Sequence, residues 1–94
     1  MKLDFTARAL TDLADIATFI ARDNPARART FVDELEQRCR DLLAFPEVGP
    51  LIAARRGVRP IVHGRYLIVY RVEVKRVVIL AVRAGEMDLD TALF

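Results

Sequence analysis

Side chains that could act as nucleophiles, bases or metal ligands are few in this sequence. His63 is the only histidine and Cys39 the only cysteine, and the chain contains no serine. A Ser/His/Asp triad is therefore excluded. Cys39 falls on the apolar stripe of a predicted helix, which is typical of a buried structural thiol, and His63 is predicted to lie in an exposed turn. One histidine and scattered carboxylates do not make a zinc site, so we expect no metal, no cofactor and no catalytic residue.

The chemistry that remains is arginine on and beside predicted strands. Guanidinium groups bind phosphates or carboxylates through forked hydrogen bonds and need no proton transfer. Tyrosines in the same region could stack on bases, although core rings with hydroxyls at the rim are the simpler interpretation. This chemistry suits RNA binding or cleavage, or binding of an acidic peptide. The candidate binding residues are Arg59, Arg65, Tyr66, Tyr70, Arg71, Arg76 and Arg83.

Charge is distributed unevenly along the 94 residues, although the net charge is only +2. Residues 1–50 contain seven Lys/Arg and nine Asp/Glu, whereas residues 51–85 contain eight Lys/Arg and Glu73 alone. Residues 86–94 carry three carboxylates and no cation. A basic second half attracts polyanions or an acidic partner segment.

Length and composition indicate a single folded domain that spans residues 1–94. A hydrophobic fraction of 53% excludes a disordered chain, and no apolar run reaches the roughly 18 residues of a membrane helix. The first residues show no secretory signal, and a single cysteine cannot form an internal disulfide. We therefore expect a cytosolic protein without a membrane association.

The first half of the chain predicts a short strand and two helices. Alternation over residues 2–5 predicts the strand, and Thr6 is a suitable N-cap for an amphipathic helix that ends near Ala21. A second helix is predicted to begin at Asn24-Pro25 and to end before a loop that contains Pro46 and Gly49. Charged residues on this helix are spaced for i,i+4 pairs between Arg29 and Asp33, Glu34 and Arg38, and Glu36 and Arg40.

The second half predicts three strands and a tail. The strands cover residues 58–62, 65–72 and 75–82, and residues 84–94 form the C-terminal tail. Pro60 lacks a backbone donor, which favours an edge position for its strand. The order β-α-α-β-β-β predicts a two-layer α+β fold, with a helical hairpin on one face of a four-stranded, mainly antiparallel sheet. Because the central strands are apolar on both sides, we expect the other face to be an open apolar surface for a partner.

Several stretches together resemble ParE-type toxins of the RelE/ParE superfamily of type II toxin–antitoxin systems. One is the Leu42…Pro46…Gly49 pattern. The others are residues 9–21, 23–28, 58–59, 65–72 and 77–82. The resemblance covers about residues 3 to 83 and implies a sheet with strand order 1-4-3-2.

The superfamily contains two activities, and the residues favour one of them. RelE-like members cleave mRNA on the ribosome with basic residues, and Arg59 lies where they place a phosphate-binding arginine. Many members also end the last strand with a His-Gly-x-Arg-Asp type motif, for which this chain has Ala84 and Met87 at the histidine and arginine positions. Neither replacement neutralises a phosphate or moves a proton. The resemblance therefore implies a bacterial ParE-like inhibitor of DNA gyrase without catalytic residues of its own.

Two alternatives stay open at this point. One is a RelE-like ribonuclease that uses Arg59 with Tyr66 or Tyr70. The other is a degenerate member that only binds an antitoxin. In all three cases the resemblance implies a toxin–antitoxin hetero-oligomer, in which an acidic ParD-like antitoxin pairs its carboxylates with Arg59, Arg65, Arg71 or Arg76.

Overall fold

Six secondary-structure elements form the domain in a computed structural model that describes residues 1–51 and 57–85. In chain order they are β1 (Lys2–Phe5), α1 (Ala7–Ala21), α2 (Pro25–Asp41), β2 (Val58–His63), β3 (Tyr66–Glu73) and β4 (Arg76–Ala84). This order confirms the predicted β-α-α-β-β-β arrangement. Neither helix of the described part is long and apolar enough to cross a bilayer. The predicted tail lies outside the described residues from position 86 onward.

Both helices begin at the N-caps that the sequence predicts. The Thr6 side chain accepts a hydrogen bond from the Ala9 N–H at 3.0 Å, and the Asn24 side chain accepts one from the Arg27 N–H at 3.0 Å. Pro25 occupies the first turn of α2, where its missing N–H costs nothing. The short connection through Asn24 makes the two helices an antiparallel pair.

The four strands form one mixed sheet with the predicted order β1-β4-β3-β2. β1 pairs in parallel with β4, whereas β3 pairs antiparallel with both β4 and β2. Pro60 therefore lies on an edge strand, as expected. Gly64 has a φ of +61° in the two-residue turn between β2 and β3, a conformation that costs glycine little. His63 is the last residue of β2, so its predicted turn position is wrong.

A β-bulge interrupts the pairing of β3 with β4. Val69 pairs with Ala81 but Tyr70 pairs with Ile79, which leaves Leu80 as the extra residue. The bulge lets Val77, Ile79 and Val82 all point towards the helices, although 79 and 82 differ by an odd number. The sequence showed only a continuous apolar run here.

The main core lies between the helices and one face of the sheet, which we call the helix face. Leu13, Ile16, Phe31 and Leu35 of the helices belong to this core. The strands contribute Ile61, Ile68, Tyr70, Val77, Ile79 and Val82. Alternation along β3 therefore directs its even-numbered positions to the helix face.

The opposite face, which we call the outer face, is not the open apolar surface that we expected. Val58, Leu67, Val69 and Ala81 form a second cluster there, and each is at most 4% exposed. Burial of these side chains within the folded chain removes apolar surface from water, which is favourable. Exposed apolar area on this face is concentrated at the β2 edge, where Val62 remains 63% exposed.

Candidate functional site

The seven candidate binding residues do not share one surface. Strand pairing directs Arg59, Tyr66 and Tyr70 to the helix face, and Arg71, Arg76 and Arg83 to the outer face. Arg65 lies in the exposed turn between β2 and β3. A partner on the outer face could therefore meet three of the arginines and neither tyrosine.

Tyr70 is a structural residue. It is fully buried, and its hydroxyl donates to the Pro46 carbonyl at 2.8 Å and accepts from the Gly49 N–H at 3.0 Å. These bonds fix residues 42–51, the first part of the connection between α2 and β2, which we call the 42–51 loop. A ring buried in this way has no free face on which a base could stack, so Tyr70 packs and forms hydrogen bonds within the fold.

Arg59 also holds the 42–51 loop. Its Nη1 donates to the Gly49 carbonyl at 2.6 Å and to the Glu47 carbonyl at 3.3 Å, and the side chain is half-buried. These two hydrogen bonds satisfy backbone carbonyls that have no partner in a strand or helix. The arginine that the resemblance assigns to phosphate binding is therefore engaged within the fold.

Tyr66 is half-buried in an aromatic group at the end of the sheet. The Phe31 ring of α2 lies 5.6 Å from the Tyr66 ring and 5.7 Å from the His63 ring, both tilted. The Arg27 guanidinium lies over the Phe31 ring, 5.1 Å from its centre. These contacts join α2 to the β2–β3 hairpin and enclose the only histidine, which is 25% exposed.

Glu34 pairs with Arg27 and not with Arg38, so the predicted i,i+4 pair is wrong. The Arg27 Nη1 lies 2.6 Å from the Glu34 Oε2, and the His63 Nε2 lies 3.6 Å from the Oε1. The hydrogen bond from Arg27 lowers the pKa of Glu34, and the same bond raises the pKa of Arg27. Among the described residues, no carboxylate lies within ion-pair distance of Arg38.

The other two predicted pairs on α2 have different outcomes. Glu36 and Arg40 approach to 3.6 Å, which confirms that pair. Arg29 and Asp33 form no ion pair, although both belong to the described part of the chain.

The arginines outside the core differ in whether they form ion pairs with carboxylates of the chain. Arg76 donates to Glu73 at 2.6 Å and to Asp4 at 3.0 Å, and these bonds raise its pKa. Within residues 1–51 and 57–85, Arg65, Arg71 and Arg83 have no carboxylate within ion-pair distance. Within that part of the chain these three guanidinium groups have no acidic partner, whereas Arg76 pairs with both Glu73 and Asp4.

Cys39 is a free thiol that lies in the core. Burial raises the pKa of the Cys39 thiol to about 12, which suppresses the reactive thiolate. No cluster of three potential metal ligands occurs among the residues that the structure describes.

Asp12 has a structural role that sequence reasoning missed. Its Oδ2 accepts from the Val82 N–H at 2.9 Å, and the Thr6 hydroxyl donates to the Leu80 carbonyl at 2.9 Å. Both bonds give partners to backbone groups of β4 that lie past the end of β1, beside the bulge. No local signal separates Asp12 from Asp15, because its partner lies 70 residues away.

Comparisons with known proteins point to one family. Residues 3–89 match the family described as "ParE toxin of type II toxin-antitoxin system, parDE". A solved structure described as "Chromosomal ParDE TA system from P. aeruginosa" superposes with a TM-score of 0.77 at 24% identity. That similarity covers 92% of this chain and 97% of the other, and it shows a shared fold. No curated protein sequence matches the chain.

Proposed function

Because the chain belongs to the ParE toxin family of type II toxin–antitoxin systems, we propose that it inhibits DNA gyrase by binding, in the bacterial cytoplasm. A cognate acidic, ParD-like antitoxin neutralises it by forming a tight hetero-oligomer. In this proposal the chain has no catalytic residues of its own, and its effect comes from the surface that it presents to its target.

The engagement of Arg59 is the observation that carries this proposal over mRNA cleavage. A phosphate-binding arginine needs free donors that face the substrate, whereas the Arg59 Nη1 is bound to the Gly49 and Glu47 carbonyls. At the end of β4, Ala84 stands at the position to which the resemblance assigns a histidine. Both features favour binding inhibition, because Ala84 can neither bind a phosphate nor move a proton and Arg59 has committed its Nη1 to the 42–51 loop.

The positive charge on the outer face is an argument for an acidic partner. Arg71 and Arg83 lie on that face at opposite ends of the Leu67–Val69–Ala81 row, without a carboxylate neighbour in the described part of the chain. A partner that places one carboxylate on each guanidinium gains charge-assisted hydrogen bonds at both sites and does not need to contact the buried cluster between them. We therefore assign these two arginines to the antitoxin.

Induced expression in bacteria, combined with a supercoiling assay on purified gyrase, tests the target. We expect DNA breaks, continued translation and loss of supercoiling in the presence of the purified chain. Rapid translation arrest with cleaved mRNA would instead establish a ribonuclease, and unaffected growth would establish an antitoxin-binding protein without toxicity.

Charge reversal tests the antitoxin contact. In co-expression with the antitoxin, the double variant Arg71→Glu/Arg83→Glu should lose most of its bound partner, since two attractive contacts become repulsive. The matched control is Arg29→Glu on the exposed side of α2. Equal recovery of the antitoxin by both variants would contradict the assignment.

A further inference from the structure

A groove at the β2 edge combines apolar lining with a single cation. It has a volume of about 360 Å³ and lies between the 42–51 loop, β2 and the outer side of α2. We call it the β2 groove. Its lining residues are Arg38, Val48, Gly49, Pro50, Pro60, Ile61, Val62 and Leu67.

The walls of the β2 groove are fixed before any partner arrives. The Tyr70 hydroxyl and the Arg59 guanidinium both form hydrogen bonds with the backbone of Gly49 in the 42–51 loop. A Cβ on Gly49 would lie only 2.5 Å from the Pro60 carbonyl oxygen, so loop and strand are in close contact. A rigid wall lowers the entropy that binding costs.

Exposed apolar side chains surround this fixed surface. Val48 and Val62 are both more than half exposed, and Phe45 on the same loop is 72% exposed. Val48 also lines a second concavity with Phe45, which makes the apolar surface continuous along the loop. Such surface is costly in water and marks a contact site in small proteins.

Charge decides which partner fits the β2 groove. Glu34 forms its ion pair with Arg27. Arg38 is half-buried at the groove and has no carboxylate within ion-pair distance among the described residues. A guanidinium beside apolar surface binds a carboxylate more strongly than one in open water does, because less solvent screens the charge. The groove therefore favours an occupant that is both apolar and acidic.

We propose that the β2 groove binds an acidic, apolar peptide segment of the antitoxin, with one carboxylate on Arg38 and apolar side chains on Val48 and Val62. The inference rests on the proposed function for the identity of the partner. The segment binds through side chains and does not extend the sheet, because Pro60 removes a backbone donor from β2.

An NMR titration of the ¹⁵N-labelled chain tests the groove directly. The probes are a short synthetic peptide in which leucine alternates with glutamate, and a neutral peptide with glutamine at each glutamate. We expect the acidic peptide to shift the amide signals of Arg38, Val48 and Val62, and to bind about fivefold more tightly than the neutral one. Equal affinity, shifts centred on another surface, or no shift with either peptide would overturn the proposal.

Two pairs of variants show which contacts matter. Arg38→Gln should remove the preference for the acidic peptide, whereas Arg29→Gln on the same helix should keep it. Val62→Glu should weaken binding of the acidic peptide, whereas Val74→Glu, at a turn position that is 93% exposed, should leave it unchanged. Equal effects within either pair would count against the groove.

The same experiment separates this inference from the proposed function. Gyrase inhibition by the unmodified chain is measured in parallel. A chain that selects the acidic peptide at the β2 groove but does not inhibit gyrase would reject gyrase as the target and support the groove. A chain that inhibits gyrase without this selectivity would reject only the groove.

Discussion

The Tyr70 hydroxyl accepts a hydrogen bond from the Gly49 N–H at 3.0 Å, across 21 positions of sequence. The same hydroxyl donates to the Pro46 carbonyl, so one buried oxygen satisfies two backbone groups of the 42–51 loop. The central strand thereby fixes the loop that forms one wall of the β2 groove.

Removal of this hydroxyl should destabilise the chain. Tyr70→Phe leaves the Gly49 N–H and the Pro46 carbonyl without partners in a buried environment, at a cost of about 1–3 kcal/mol. Equilibrium unfolding in urea measures the loss. Tyr66→Phe is the control, because none of the described hydrogen bonds involves the Tyr66 hydroxyl, and it should change stability by less than about 0.5 kcal/mol. Equal stability of Tyr70→Phe and the parent would refute the role of the bond.

The Asp12 carboxylate should stabilise the end of β4. Asp12→Ala removes the acceptor of the Val82 N–H beside the bulge, and we expect a loss of about 1–2 kcal/mol. Amide hydrogen exchange at Val82 should also become faster, which a purely global effect would not single out. Asp12→Asn keeps a side-chain oxygen and should retain most of the stability. Asp15→Ala, on the exposed side of α1, should be nearly neutral.

Glu34 should make stability depend on pH in the acid range. Arg27 and His63 face this carboxylate, and the bond from Arg27 lowers its pKa from the ordinary 4.5. A lowered carboxylate pKa means that the stabilisation is complete above pH 4.5 and is lost as the pH falls through the lowered value. The parent should therefore exceed Glu34→Gln in stability at neutral pH, and the two should converge in acid.

Thermal unfolding at a series of pH values measures this difference. Asp33→Asn serves as the control, because Asp33 has no ion pair in the described part of the chain. If the parent stayed more stable than Glu34→Gln by the same amount at a pH well below the carboxylate range, the Glu34 carboxylate would not be the source of the stability difference.

The Cys39 thiol should be unreactive until the chain unfolds. A pKa of about 12 in place of 9.0 lowers the thiolate fraction about a thousandfold, and full burial blocks access as well. A chromogenic disulfide reagent should therefore label the native chain far more slowly than the urea-unfolded chain. Labelling of both forms at similar rates would show that Cys39 is accessible.

Much of the fold could be predicted from patterns that act locally. The Thr6 and Asn24 caps, the proline on the edge strand and the two-sided apolar character of β3 each depend on neighbours in sequence. These features determined element order and, with the resemblance, the strand order.

The errors concern choices that only tertiary structure makes. Arg38 lies at i,i+4 from Glu34, but Glu34 pairs with Arg27 instead. The reason is that the contacts of Phe31 with His63 and Arg27 hold that side of α2 against the hairpin. The bulge at Leu80 has no signature in an unbroken apolar run. Only the strand register shows that Tyr70 is buried in the core and that Arg59 is bound to the 42–51 loop.

The parallel pairing of β1 with β4 has a consequence for synthesis on the ribosome. Within the described residues, the strand partner of residues 2–5 is residues 76–79, so the sheet stays incomplete while the intervening chain is being made. At typical elongation rates that interval lasts roughly 4 to 15 seconds. Until β4 has been made, β1 and β3 lack the strand that joins them, and the sheet cannot close over the helices.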